Sequence, residues 1–156
     1  MPQILHSKPK RLVVCLCFER LDVEGYPQRL LLCRHLPGRV QGAAWRLQFS
    51  TVRDGFSLHS LYRAAAASPD CPALLVIQDT DHALFGAFLS CSPAQTEKFR
   101  GTGESWLFTF FPSFRVFRWT GENNYIMRAG LDNLIVGSSE GMFGIWLDEG
   151  FNQVHI

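Results

Sequence analysis

Residues Gly101–Trp119, with the sequence GTGESWLFTFFPSFRVFRW, contain two apolar, aromatic-rich runs on either side of Pro112-Ser113. The first run covers residues 106–111, and arginines interrupt the second run at residues 114–119. Aromatic and β-branched side chains favour strands, and a Pro-Ser pair favours a turn. The stretch therefore predicts a strand–turn–strand unit at the centre of an antiparallel sheet, with its aromatic side chains in the core.

Length and composition favour one packed domain. The chain has 156 residues, of which 47% are apolar and 13% aromatic, so it is long and apolar enough to bury a core. The net charge of +1 provides no overall field that would attract nucleic acid or an anionic membrane. No apolar run approaches the roughly 20 residues that a membrane-spanning helix needs. Neither a nucleic-acid partner nor a membrane span is predicted.

Short elements separated by turn signals fill the rest of the chain. Residues 1–28 are interpreted as an N-terminal leader of uncertain structure, in which residues 12–18 have the pattern of a strand. Many short strands and few helices predict an α+β, mainly β fold with an antiparallel sheet or sandwich. The predicted helices cover 29–35 and 57–67, the predicted strands cover 44–51, 72–78, 83–90, 125–128, 133–136 and 142–147, and a turn is predicted at 137–141.

The cysteines and histidines do not form a recognisable site. Cysteines occur at positions 15, 17, 33, 71 and 91, without CxxC or zinc-type spacing, and the histidines are scattered. Their distribution predicts reduced thiols and no metal or other cofactor. A redox-active cysteine needs a lowered pKa and exposure, so direct thiol chemistry is an alternative hypothesis that ranks below buried spectator thiols.

Carboxylates provide a second alternative hypothesis. Glu104 and Asp148, with Glu122 and Glu149 nearby in the sequence, are candidates for a pair that would perform acid–base chemistry in a hydrolase-like enzyme. The GTGE segment at 101–104 also has two glycines, as phosphate-binding loops do, but a strand follows it where such loops precede a helix. A tight turn is favoured, in which glycine adopts positive φ and Glu104 bonds to nearby backbone.

Several segments of the chain resemble the TLDc domain family. The segment Leu36–Arg63 resembles the opening of that domain, and the resemblance continues through LLVIQD at 74–79, GTGE at 101–104, WTGEN at 119–123 and FGIWLD at 143–148. The order and spacing are shared over roughly residues 36–148. The chain is most similar to the oxidation-resistance and nuclear-receptor-coactivator branch and its small single-domain relatives.

The resemblance implies a fold, a function and a set of site residues. It implies a sandwich of two antiparallel sheets flanked by short helices, and a non-enzymatic interaction domain. The implied role is protection against oxidative stress through binding and regulation of the vacuolar proton pump (V-ATPase). We therefore expect V-ATPase subunits as partners and a cytoplasmic location, with nuclear or mitochondrial association as alternatives. The implied motif and interaction residues are Gly101, Gly103, Glu104, Gly121, Glu122, Asn123, Gly144, Trp146 and Asp148.

The resemblance stops at Gly150, where family domains continue through a Cys-x-Thr-Phe-Asn-Asn stretch to a final strand. A truncated TLDc-like domain at 29–150, followed by a divergent tail at 151–156, is therefore predicted, as in an alternatively spliced product. A missing strand would expose unpaired backbone groups, so a partner that completes the sheet is also expected.

Overall fold

The computed structural model describes residues 9–16, 27–43, 45–139, 142–151 and 154–155. Among these residues the fold is mainly β with two antiparallel sheets, as predicted, and it includes three short helices. None of the helices among these residues is long and apolar enough to cross a membrane. The elements are β1 (Pro9–Leu16), α1 (Pro27–Cys33), β2 (Arg46–Ser50), α2 (Thr51–Asp54), α3 (Leu58–Ala66), β3 (Ala73–Asp79), β4 (Leu84–Leu89), β5 (Trp106–Thr109), β6 (Arg115–Arg118), β7 (Met127–Ala129), β8 (Asn133–Ser139), β9 (Met142–Asp148) and β10 (Val154–His155).

The larger sheet has six strands in the order β2-β1-β3-β4-β5-β6. Strand β1 lies between β2 and β3 and pairs with both. The predicted position of the aromatic hairpin at the sheet centre is therefore wrong, because β5 and β6 form one end of the sheet. Aromatic density predicted the strands correctly, but it contains no information about their lateral order.

The smaller sheet has four strands in the order β10-β9-β8-β7. Strand β8 continues to Ser139, beyond the start of the turn predicted at 137–141, and Gly137 adopts a φ of 71° within it. Strand β10 pairs with β9 at Leu147 and Trp146. The boundaries predicted at residues 28 and 150, and the expected need for a partner to complete the sheet, stay predictions.

Two apolar clusters hold these layers together. The first lies between the sheets and includes Phe49, Phe85 and Phe151, all fully buried. The second packs α1 and the loop after it against the other face of the larger sheet. Successive side chains of β3 point to opposite faces of the sheet, so Leu75 belongs to the first cluster and Leu74 to the second. The six-stranded sheet is thus covered on both faces over its central strands.

Helix α3 forms where its pattern predicts. The hydroxyl oxygen of Ser57 caps it by accepting a hydrogen bond from the backbone N–H of Ser60, and Leu58, Leu61 and Tyr62 are buried at helical spacing. The single-turn helix α2 was not predicted. At four residues it is too short to show helical periodicity.

Tyr62 connects α3 to the smaller sheet. Its hydroxyl lies 2.7 Å from the carbonyl oxygen of Gly130 and 3.0 Å from that of Asn133, so it donates to the turn between β7 and β8. Burial, followed by the nearby charge of Glu97, raises the pKa of Tyr62 above its ordinary value, and Arg128 opposes this shift. The hydroxyl therefore stays protonated and a donor well into the alkaline range.

Replacing Tyr62 by phenylalanine tests this connection. We expect Tyr62→Phe to lower the free energy of unfolding by about 1 kcal/mol or more, because the buried carbonyl group of Gly130 loses its donor, whereas the Asn133 carbonyl keeps the hydrogen bond from the Gly130 N–H. Urea unfolding measures the change, and Tyr125→Phe is the matched control because Tyr125 is largely exposed. Equal stability of Tyr62→Phe and the wild type would contradict the assigned role.

Candidate functional site

An open groove of about 410 Å³ lies between the β5–β6 edge of the larger sheet and the β8–β9 hairpin of the smaller sheet. Most of its wall is apolar, and several large side chains in it are exposed to solvent. Phe117 and Trp119 are 44% and 45% exposed, and Phe111, outside the groove, is 66% exposed. The prediction that the aromatic side chains of this stretch all belong to the core is therefore wrong for these three. The other exposed apolar side chains that line the groove are Tyr125, Met142 and Phe143.

A close approach of β9 to β5 forms the inner end of the groove. A Cβ atom at Gly144 would lie 2.5 Å from Cδ1 of Leu107 and 2.7 Å from the carbonyl oxygen of Val136. No side chain fits at these distances without movement of the backbone or of Leu107. Gly144, which the family resemblance selected, therefore acts by being small.

Trp119 is held in place by its neighbours on two sides. Its indole lies against Gly103, where a Cβ would be 2.1 Å from Cε3 of the ring, and its Nε1–H donates to the carbonyl oxygen of Asn123 at 2.7 Å. Two of the residues predicted from the resemblance thus position the indole that lines the groove. The glycine provides space and the asparagine backbone provides a hydrogen-bond acceptor.

Asn123 also connects the loop after β6 to the smaller sheet. Its Oδ1 accepts from the backbone N–H of Tyr125 at 2.9 Å, and its Nδ2 donates to the carbonyl oxygen of Ser138 at 3.0 Å. Both ends of the amide are therefore used in local structure. Next to it, Gly121 adopts a φ of 84° and exposed Glu122 lines the groove.

The GTGE segment forms the predicted tight turn. Gly101 has a φ of 102°, and the backbone N–H of Thr102 donates to the hydroxyl of Ser90 at 2.7 Å. The Glu104 carboxylate, however, is paired with the guanidinium of Arg39 at 3.1 Å, whereas a bond to nearby backbone was expected. Arg39 is 65 positions away in the chain, and no local pattern connects the two residues.

The two candidate catalytic carboxylates lie in different surroundings. Glu104 makes the ion pair with Arg39, while Asp148 ends β9 opposite Asn133 on the neighbouring strand. Neither residue lines the groove. Trp146, also predicted from the resemblance, is half-buried on β9 opposite Ile135. The catalytic assignment of Glu104 and Asp148 stays a prediction.

The described histidine, cysteine and acidic side chains form no group of three that would hold a metal ion. Cys71 is disulfide-bonded, so the expectation of reduced thiols is wrong at this position, and Cys33 and Cys91 are free. Burial raises the pKa of Cys91, with Asp70 adding to the shift and Arg100 opposing it. A raised pKa lowers the thiolate fraction at neutral pH, which disfavours a reactive thiol.

These contacts define what the arrangement is able to do. The groove is a pre-shaped apolar surface. Hydrogen bonds from the side chains of Trp119 and Asn123 fix the conformation of the loop after β6 that borders it. Phe117, Tyr125, Met142 and Phe143 were not selected from the sequence as site residues, because an isolated apolar residue in a strand has the same pattern whether it is covered or not. Their exposure depends on how much of the larger sheet the smaller sheet covers, and local sequence does not contain that information.

Comparison with known proteins identifies the family. A family model described as the TLDc domain matches residues 26–156. The chain belongs to the TLDc family. Nuclear receptor coactivator 7 of Mus musculus is 48% identical over 117 residues, which are 75% of this chain and 12% of that protein. Oxidation resistance protein 1 is 45% identical over 117 residues in Xenopus laevis, 14% of that protein, and 43% identical over 117 residues in Homo sapiens, 13% of that protein. The chain thus spans a small part of the length of these relatives.

The packing at Gly144 leads to a first prediction for the site. We expect Gly144→Ala to lower the free energy of unfolding by roughly 1–3 kcal/mol, because the added methyl group overpacks against Leu107 and the Val136 carbonyl. Urea unfolding measures this, with Gly38→Ala as control because a Cβ at Gly38 meets nothing within 4 Å. A control that loses as much stability would contradict the steric explanation.

The environment of Cys91 leads to a second prediction. Because its pKa is raised, we expect alkylation of Cys91 by iodoacetamide at neutral pH to be slower in the folded chain than in the urea-unfolded chain. Mass spectrometry after timed alkylation measures both rates, and the difference should narrow as the pH rises. Faster alkylation of the folded chain would instead favour the thiol-based hypothesis.

Proposed function

We propose that the chain is a non-enzymatic interaction domain that acts in protection against oxidative stress. The observation that supports this function best is the groove, because exposed apolar side chains gathered in one concave surface are typical of binding sites. The groove is also framed by residues of the TLDc motifs, including Trp119, Asn123 and Gly144.

The pairing of Glu104 favours binding over catalysis. A general acid or base needs a free carboxyl group beside a substrate cavity, whereas this carboxylate faces a guanidinium at the surface. The raised pKa of Cys91 likewise weighs against direct thiol chemistry. The hydrolase-like and thiol-based hypotheses therefore rank below an interaction domain.

The name of one relative and the resemblance to the family support the biological part of the proposal. Relatives that are 42% to 45% identical to this chain are named oxidation resistance protein 1. V-ATPase subunits are the partners that the family resemblance implies, and we propose that the groove contacts them. A cytoplasmic location, with nuclear or mitochondrial association as alternatives, is part of the same proposal.

Co-purification with V-ATPase tests the proposed function. We expect the tagged full chain to enrich V-ATPase subunits, and Phe117→Asp and Phe143→Asp to reduce that enrichment by about tenfold or more. The reason is that a charge replaces an exposed aromatic side chain in an apolar contact, and central aromatic contacts contribute about 2 kcal/mol or more to binding. Quantitative mass spectrometry of the purified material provides the measurement.

The control is Leu30→Asp, the same kind of change at an exposed leucine on α1, outside the groove. Thermal unfolding establishes that each variant is folded before binding is compared. No enrichment by the wild-type chain would overturn the V-ATPase assignment, and an equal loss in Leu30→Asp would overturn the assignment of the groove.

A further inference from the structure

Strand β6 forms one end of the six-stranded sheet. It pairs with β5 on one side, with Trp106 opposite Arg118 and Thr109 opposite Arg115. Among the described residues, no strand pairs with its other side. An open edge of this kind is a template for the backbone of another strand.

The hydrogen-bond pattern identifies the backbone groups on the open side. Within a strand of an antiparallel sheet, successive residues bond alternately to the two neighbouring strands. The N–H of Phe110 donates to Leu84 at 2.8 Å, so Leu107 and Thr109 bond to β6. Their partners Phe117 and Arg115 therefore bond back to β5. By the same alternation, the N–H and C=O groups of Val116 and Arg118 point to the open side.

Two arginines lie along this edge, one on each face of the sheet. The Arg115 guanidinium carbon is 5.2 Å from the ring centre of Phe117, on the face of the sheet that carries Phe117. On the other face, Nη2 of Arg118 is 3.2 Å from Nδ1 of His35, which lies in the turn after α1. Neither arginine forms an ion pair with a carboxylate among the side chains that the structure describes. The edge therefore presents two cations that no described carboxylate neutralises.

We propose that β6 and the adjoining groove bind an extended acidic segment of a partner protein. The segment adds a strand beside β6, bonding to the backbone of Val116 and Arg118. Successive side chains of a strand alternate between faces, so one carboxylate reaches Arg115 and another reaches Arg118. An apolar side chain between acidic positions packs on Phe117 in the groove. This proposal rests on the interaction function above and specifies the chemistry of the partner.

Charge excludes a second copy of the chain as the preferred occupant. Residues 114–119 contain two arginines and no acidic residue, so pairing of β6 with itself would gather four arginines along one seam. Like charges on neighbouring strands are destabilising. Of the described residues that line the groove, Glu122 alone is acidic, and it lies in the loop after β6. Pairing with an acidic strand neutralises the arginines, whereas self-pairing adds to their repulsion.

The test uses synthetic peptides and the full chain without V-ATPase, so that its failure and that of the V-ATPase assignment remain distinct. The probe is a short fluorescently labelled peptide that contains Glu-Val-Val-Glu, because glutamates three positions apart lie on opposite faces of a strand and a valine then lies opposite Phe117. Its counterpart replaces each glutamate by lysine. Fluorescence anisotropy measures binding, and hydrogen exchange measures amide protection. We expect the glutamate peptide to bind, with slower exchange at the amides of Val116 and Arg118, and the lysine peptide to bind much more weakly.

Variants separate the two arginines from general charge effects. We expect Arg115→Gln and Arg118→Gln each to weaken glutamate-peptide binding by about two- to fivefold, as exposed ion pairs do, and added salt to act in the same direction. Arg63→Gln, which removes an exposed arginine from α3, and Glu122→Gln should not weaken it. Circular dichroism establishes that the variants are folded.

Three outcomes would overturn the proposal. The first is no binding of the glutamate peptide, which would indicate that the arginines only protect the edge against pairing. The second is equal binding of both peptides, or protection away from β6. The third is a dimer of the free chain in sedimentation whose β6 amides are already protected, which would make a second copy the occupant.

Discussion

The contact between Gly144 on β9 and Leu107 on β5 fixes how closely the two sheets approach at the groove. Only a residue without a side chain fits there, since a Cβ would lie 2.5 Å from the leucine. The sandwich core begins immediately behind this contact, where Leu107 packs against the buried cluster between the sheets. The contact therefore lies between the buried apolar core on one side and the open groove on the other.

The groove also depends on the unequal widths of the sheets. Six strands face four, and the end of the larger sheet carries Phe117 on its inner face with incomplete cover. Burying a large aromatic side chain is favourable by about 1.5–3 kcal/mol relative to leaving it exposed. A surface that leaves several such side chains half-exposed thus retains apolar area that association would bury. The hydrogen bonds of Asn123 hold the loop after β6 against the smaller sheet.

Local patterns predicted the elements well, but they did not predict the site. Ser57 and the helical spacing of Leu58, Leu61 and Tyr62 correctly predicted α3, because a helix depends on residues within a few positions. The groove depends on lateral strand order and on contacts such as that of Glu104 with Arg39, which local sequence does not contain. The family resemblance selected Gly103, Gly144 and Asn123 without indicating what their atoms do. In the structure the two glycines leave space for neighbouring side chains, and the Asn123 amide hydrogen-bonds to backbone groups.

The division of roles around the groove favours recognition over chemistry. Gly103 and Gly144 leave space for the side chains of Trp119 and Leu107. Both the Oδ1 and the Nδ2 of Asn123 are hydrogen-bonded to backbone groups. Polar groups that are satisfied in this way hold a shape and are not available to a substrate. What the groove still presents is apolar surface beside a strand edge with two cationic side chains. Apolar contact provides affinity with little directionality, whereas a strand edge and fixed charges impose direction and register. The combination is suited to selecting one extended segment of a protein partner.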